Sequence, residues 1–231
     1  MALQQLRAEP SRAVVATRRA RPWAVLLAVA FVGFMVVGNL ALLGTSVALQ
    51  VAGPDGTSPP GVTGIDHARV VDDHVWRGGA PSEEGYASLL ANGVTTIVDL
   101  RASTSFEELE SVRALGFSVV HLPVNDGEAP SPASIDRLME VVAASPGKVF
   151  IHCQAGVGRT GSMVAAYQVR TGISSGVGAA VANLAVGPPT LEQLAYTVNL
   201  EGSSAARPPA PIVMASRVLD APRQIWNRLF G

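Results

Sequence analysis

VFIHCQAGVGRTGSM, Val149–Met163, runs from a β-branched segment through a glycine-rich turn into a stretch of small residues. It holds the chain's only cysteine, Cys153, with an arginine, Arg159, shortly after it. A strand that passes directly into a helix leaves a loop whose backbone N–H groups converge. The helix adds the positive end of its dipole. Such a loop is a site for a doubly charged oxyanion such as phosphate. Gly156, Gly158 and Gly161 permit the curvature, so Gln154, Ala155, Gly156, Val157 and Gly158 form the cradle. Arg159 can hold two oxygens at once through its planar fork. The same positive field favours Cys153 as thiolate. Thr160 is placed to donate a hydrogen bond to that sulfur. His152 is expected to order the loop rather than to act as a base.

Working outward, strands alternate with amphipathic helices. His74–Arg77 reads as a short strand. Ser82 caps a helix that opens with Glu83 and Glu84 and ends at Gly93. Thr95–Leu100 is a second strand. Ser105 and Glu108 form a capping-box pair before a helix that stops at Gly116. Phe117–Val124 is a third strand. Ser131-Pro132 opens a helix with Ile135, Leu138, Met139 and Val142 on one face. Lys148–His152 is the fourth strand, Gly161–Arg170 the helix after the loop. Val177–Val186 and Thr190–Asn199 are further helical stretches. The pattern predicts an α/β fold with a central, mostly parallel sheet of four to five strands flanked by helices. Cys153 then lies beyond the carboxyl end of its strand, where such sheets carry their sites.

Ile151–Gly161, IHCQAGVGRTG, resembles the active-site signature of the cysteine-dependent protein tyrosine and dual-specificity phosphatases. That signature is Cys-x5-Arg-Ser/Thr with a preceding His and a following Gly. The resemblance extends more loosely from Ile65 to Asn199. WRGGAPS at Trp76–Ser82, VDLR at Val98–Arg101 and HLPVNDGEAPS at His121–Ser131 look like the compact dual-specificity branch. It implies a dual-specificity phosphatase-like fold and a general acid on a separate loop. Asp126, in the turn Asn125-Asp126-Gly127, suits that role; stabilising the turn is its plainer use. Glu128 and Asp136 are weaker candidates. The implied chemistry is attack by Cys153 on phosphorus, protonation of the leaving oxygen by Asp126, and hydrolysis of the phosphocysteine. Neither metal nor cofactor is implied, and His67, His74 and His121 read as scattered structural residues.

Plainer uses are weighed for other residues. Cys153 could be a buried core thiol. Arg77 and Arg101 are expected to pair locally rather than touch substrate. Tyr86, Tyr167 and Trp76 read as packing residues. A rhodanese-like sulfurtransferase also carries a cysteine in such a loop, but needs neither Asp126 nor Thr160. A non-catalytic phosphate-binding module is the third class. Gln154, Ala155 and Val157 are uncharged, which tilts the substrate toward phosphoprotein over phosphoinositide. A phospholipid, small metabolite or cell-surface phosphate ester stays open.

The front of the chain differs in kind. Residues 23–51 hold no charged residue, enough for a bilayer-spanning helix. They raise the mean hydropathy of the 231 residues to +0.31. Arg7, Arg12, Arg18, Arg19 and Arg21 precede the run, and the next cation is Arg69. This asymmetry puts the tail 1–22 in the cytoplasm and the rest outside. A cleaved signal ending near Ser46-Val47-Ala48, or an inverted anchor, are the alternatives. Residues 52–64 read as linker, 65–200 as the phosphatase domain, and 201–231 as a tail. That tail is Pro- and Ala-rich, then has amphipathic helical spacing through Val218, Leu219, Ile225, Trp226, Leu229 and Phe230. It could lie on a membrane surface or dock on the domain. A net charge of −1 gives no footprint for nucleic acid, so the expected partners are a phosphorylated substrate and the membrane.

Overall fold

A computed structural model of the chain describes residues 22–52, 58–202 and 208–230. The chain divides into two units, Met1–Gly38 and Asn39–Gly231. The described part of the first is the front of helix α1 (Pro22–Ala52), whose apolar side chains are exposed, Phe34 at 73%. The expected cationic tail lies outside the described residues, apart from Pro22.

The second unit is the α/β fold. Its strands are β1 (Arg69–Val70), β2 (Val75–Gly78), β3 (Val94–Arg101), β4 (Ser118–Val124) and β5 (Lys148–His152). They are ordered β1-β2-β5-β3-β4, with β1 antiparallel to β2 and every other pair parallel. β5 is the central strand. Val149 pairs with Val75 of β2, and Phe150 with Ile97 of β3. Its alternation divides the core. Val149 and Ile151 pack on one side with Ile135, Leu138 and Met163. Phe150 packs on the other with Trp76, Leu89, Ile97 and Leu109. Both faces are therefore covered, as a parallel sheet requires. Each large side chain so buried contributes roughly 1.5–3 kcal/mol.

The helices follow the capping signals. Ser82 accepts from Gly85 N–H ahead of α2 (Glu83–Ala91), and Ser131 from Ser134 N–H ahead of α4 (Pro132–Ala144). Ser105 accepts from Glu108 N–H ahead of α3 (Phe106–Ala114), but the pair is not a closed capping box. The Glu108 carboxylate reaches Arg101 instead, at 2.7 Å. An ion pair to a largely buried guanidinium outcompetes the return bond. The reciprocal box forms at Thr190 and Gln193, ahead of α7 (Leu191–Val198). Helix α5 (Gly158–Arg170) begins before the expected Gly161, so Arg159 and Thr160 sit in its first turn. The reversal finishes early because Gly156 takes a φ of 75°. The edge strand β1 has no signal in so short a segment. Helix α6 (Gly176–Leu184) ends two residues before the expected Val186.

Two flanking segments join this unit. Of the stretch read as linker, 53–57 lie outside the described residues, while Thr63 Oγ1 donates to Glu84 Oε1 at 2.8 Å and Gly64 O accepts from Ser82 N–H. Helix α8 (Ala210–Phe230) docks on α7: Ser216, 1% exposed, accepts from Glu192 N–H at 3.1 Å. The side chains of Trp226, Leu229 and Phe230, which carry part of the tail's apolar spacing, are outside the described set.

Candidate active site

The loop after β5 is shaped by what holds its carbonyl groups. Gln154 O accepts from Ala80 N–H at 3.0 Å. Ala155 O accepts from His67 Nδ1 at 2.8 Å, which fixes the proton on that nitrogen. Gly156 O accepts from Arg77 Nη2 at 2.8 Å. Val157 O accepts from Gly161 N–H at 2.8 Å. Four successive carbonyls are thus engaged away from the cleft. With these planes fixed, Gly156 N–H donates to the Cys153 sulfur at 3.3 Å. Gly156 could not be another residue. Its φ is left-handed, and a Cβ there would run into the backbone of Gly78 and Gly79.

Arg77 is the main buttress. It leaves β2 at 5% exposure, and its Nη1 donates to Asn183 Oδ1 at 2.6 Å. Asn183 Nδ2 in turn donates to Gly161 O at 2.9 Å. One guanidinium therefore ties β2, the loop and α6 together. Desolvation by burial pushes its pKa down to about 10, opposed by the nearby Cys153, so it stays cationic at neutral pH. His152 is fully enclosed and its Nδ1 donates to Cys153 O at 3.1 Å. Burial lowers its pKa, although Asp99 opposes this, so it stands neutral and orders the strand end. Burial also works against the Asp99 carboxylate, but the hydrogen bonds and charge of Arg101 bring its pKa below the usual range.

The predicted residues other than Gly156 and Thr160 line one cleft of about 560 Å³. Cys153, 2% exposed, Gln154, Ala155, Val157, Gly158 and Arg159 line its floor. Asp126 lines a wall and its Oδ1 lies 3.3 Å from Arg159 Nη2. Arg159 Nη1 also donates to Val124 O at 3.4 Å, which aims the guanidinium along the end of β4. Asp126 is presented by a turn closed by Glu128 N–H to Asn125 O, with Gly127 at φ 83°. Glu128 lies beside this turn, and Asp136 pairs with Arg170 away from the cleft. Thr160 is wholly buried and its hydroxyl has no hydrogen-bond partner, so the expected bond to the sulfur is not made here. Arg101 reaches the cleft rim but is held by Asp99 and Glu108, as local pairing predicts.

Several residues of the site escaped the sequence reading. His67, read as scattered, touches the loop. Arg77 pairs with the loop rather than beside its own strand. Gln193 lines the cleft from the start of α7. The capping box Thr190-x-x-Gln193 was the available signal for α7, though it does not say what the helix faces.

A family model described as "DSP-PTPase phosphatase fused to NAD+ Kinase" matches residues 63–199. Probable NAD kinase 2, chloroplastic, of Oryza sativa subsp. japonica is 41% identical over 100 residues, 40% of this chain and 10% of that protein. Dual specificity protein phosphatase CDC14A of Mus musculus is 34% identical over 79 residues, 34% of this chain and 13% of the relative. The matched stretch thus spans about a tenth of the length of these curated relatives. Among solved structures, PTPMT1 in complex with PI(5)P aligns with 68% of this chain and 99% of its own, at 18% identity and a TM-score of 0.48. TpbA of P. aeruginosa aligns with 53% and 73%, at 19% identity and a TM-score of 0.44.

Proposed function

Because the chain belongs to the DSP-PTPase family whose phosphatase domain is fused to NAD+ kinase, we propose that it hydrolyses phosphomonoesters through a phosphocysteine, with phosphoproteins as substrates. The observation that carries this reading is the meeting of Cys153, Arg159 and Asp126 around one cleft. The Cys153 thiolate attacks phosphorus in line. The bond from phosphorus to the leaving oxygen breaks, and Asp126 gives that oxygen its proton. Asp126, now a carboxylate, takes a proton from water. The water oxygen attacks phosphorus, the P–S bond breaks, and phosphate leaves with the thiolate restored. The loop N–H groups and Arg159 stabilise the equatorial oxygens in both steps. Thr160, buried in the helix's first turn with its hydroxyl unpaired at rest, is assigned to donate to the sulfur only as it leaves.

The substrate class rests on charge. Among the lining residues the cations are Arg159, which serves the phosphate itself, and Arg101, occupied by two carboxylates. That favours a single phosphate on a peptide over a ligand bearing several. The test is phosphate release by the full-length chain in detergent, with Cys153→Ser as control. The panel holds phosphotyrosine and phosphoserine/threonine peptides, a phosphoinositide and NADP+. Turnover of the peptides is expected. Turnover confined to the lipid or the dinucleotide overturns the substrate class, and none at all overturns the enzyme.

The charge-free helix Trp23–Val51, most of whose described apolar side chains are exposed, supports a membrane anchor. The upstream arginines favour a cytoplasmic N-terminus and an external catalytic domain. Protease digestion of intact cells checks this: loss of the domain is expected, and its full protection reverses the orientation.

A further inference from the structure

Helix α8 lies beyond the residues that match the family, 63–199, yet it is built into the site. The three residues that follow Asp126 are each held at the backbone by the first turn of α7. Gly127 O accepts from Thr190 Oγ1 at 2.7 Å. Glu128 O accepts from Gln193 Nε2 at 3.1 Å. Ala129 N–H donates to Glu192 Oε1 at 3.2 Å. These three holders are buried, at 8%, 2% and 7% exposure. α8 then fastens both partners. Ser216 Oγ accepts from Glu192 N–H, one of the four donors that a helix start leaves unpaired. Arg217 Nη2 meets Glu128 Oε1 at 3.2 Å.

Glu192 is the hub. It is a buried carboxylate at a helix N-terminus, where negative charge is favoured. One oxygen holds the acid segment, and its own N–H is held by α8. Its other oxygen has no hydrogen-bond partner among the described residues, so the hydrogen bonding of this carboxyl group is given over to Ala129 N–H. The Arg217–Glu128 pair is exposed at both ends and adds little by itself.

We propose that Glu192 and Ser216 are positioning residues for proton donation by Asp126, and that α8 is a strap that clamps the acid segment over Cys153. This rests on Asp126 being the general acid. A displaced acid fails where the leaving group needs a proton and matters little where it does not. The clamp therefore has a signature that a general loss of folding lacks: a steeper dependence of kcat on the leaving group.

The experiment measures kcat and KM for aryl phosphates whose phenols span weakly to strongly acidic, on the full-length chain in detergent. On the poorest leaving groups Glu192→Ala is expected to lower kcat by about tenfold, the worth of one hydrogen bond to a charged group, and Ser216→Ala by about threefold, the worth of a neutral one, with the best leaving groups and KM nearly unchanged. Glu192→Gln, which keeps an acceptor for Ala129 N–H, is expected to restore most of the rate. Asp126→Asn sets the limit of the effect. A steep Asp126→Asn profile with uniform loss, or no loss, in both alanine variants overturns the clamp and leaves the acid assignment standing. A flat Asp126→Asn profile overturns the acid assignment and the clamp with it.

Discussion

Arg77 Nη2 donates to the carbonyl oxygen of Gly156 across 2.8 Å, so the second strand props the catalytic loop from behind. Replacing Arg77 by Lys shortens the fork to a point charge that cannot meet Gly156 O and Asn183 Oδ1 together. Arg77→Lys is expected to cost about 1–3 kcal/mol of stability through the unsatisfied buried acceptors. It should also lower kcat/KM by about tenfold or more as the loop relaxes. Thermal melting and steady-state kinetics on one preparation read both effects.

Cys153→Ser is expected to abolish turnover while inorganic phosphate still binds, since the loop N–H groups and Arg159 are intact. Asp126→Ala is expected to lower turnover by about 10²–10⁴-fold. With a substrate whose leaving group needs no proton, that variant should still form the phosphocysteine and then hydrolyse it slowly. Mass spectrometry of the quenched enzyme detects the adduct; its absence in Asp126→Ala argues that hydrolysis does not use this carboxylate.

Gly156→Ala forces a side chain into a left-handed conformation against the Gly78–Gly79 backbone. A loss of stability of about 1–3 kcal/mol is expected from such a conformation. Activity should fall more steeply than stability, because Gly156 N–H is the group that donates to the sulfur. Comparing melting temperature with kcat separates the two.

Acid should unfold the domain in two stages. His152 and Asp99 both have pKa values lowered in the fold, so each releases its proton more readily there than in the unfolded chain. Stability linked to such groups is present above their unfolded values, about 6.5 and 3.9, and is lost as pH falls. The melting temperature should decline from about pH 6.5 as His152 is driven to charge, and more steeply below about pH 4 as Asp99 is protonated. His152→Asn is expected to flatten the first stage; an unchanged profile assigns it to another group.

Much of this arrangement is written locally. Ser82, Ser131 and the capping box at Thr190 mark helix starts with side chains that bond their own backbone, and β5 announces itself by apolar residues on both faces, Val149 and Ile151 on one and Phe150 on the other. The Cys153–Arg159 segment is legible for the same reason: its geometry is set by neighbours in sequence. What escaped is long-range. Arg77 meets Gly156 and His67 meets Ala155 across most of the domain, and no spacing rule links them. Glu108 shows the same conflict, since its local capping role gives way to Arg101, a partner delivered by the sheet.

The position of β5 has a consequence for how the molecule comes into being. β2 and β3 do not bond to each other; β2 with β1, and β3 with β4, are joined into one sheet through β5, which the ribosome delivers after β2 and β3. The two halves of the sheet therefore wait for a keystone, a topology of distant pairings that folds slowly. Cys153 is the residue directly behind that keystone. On the proposed mechanism, the loop that surrounds this thiol is therefore assembled in the same event that locks the architecture.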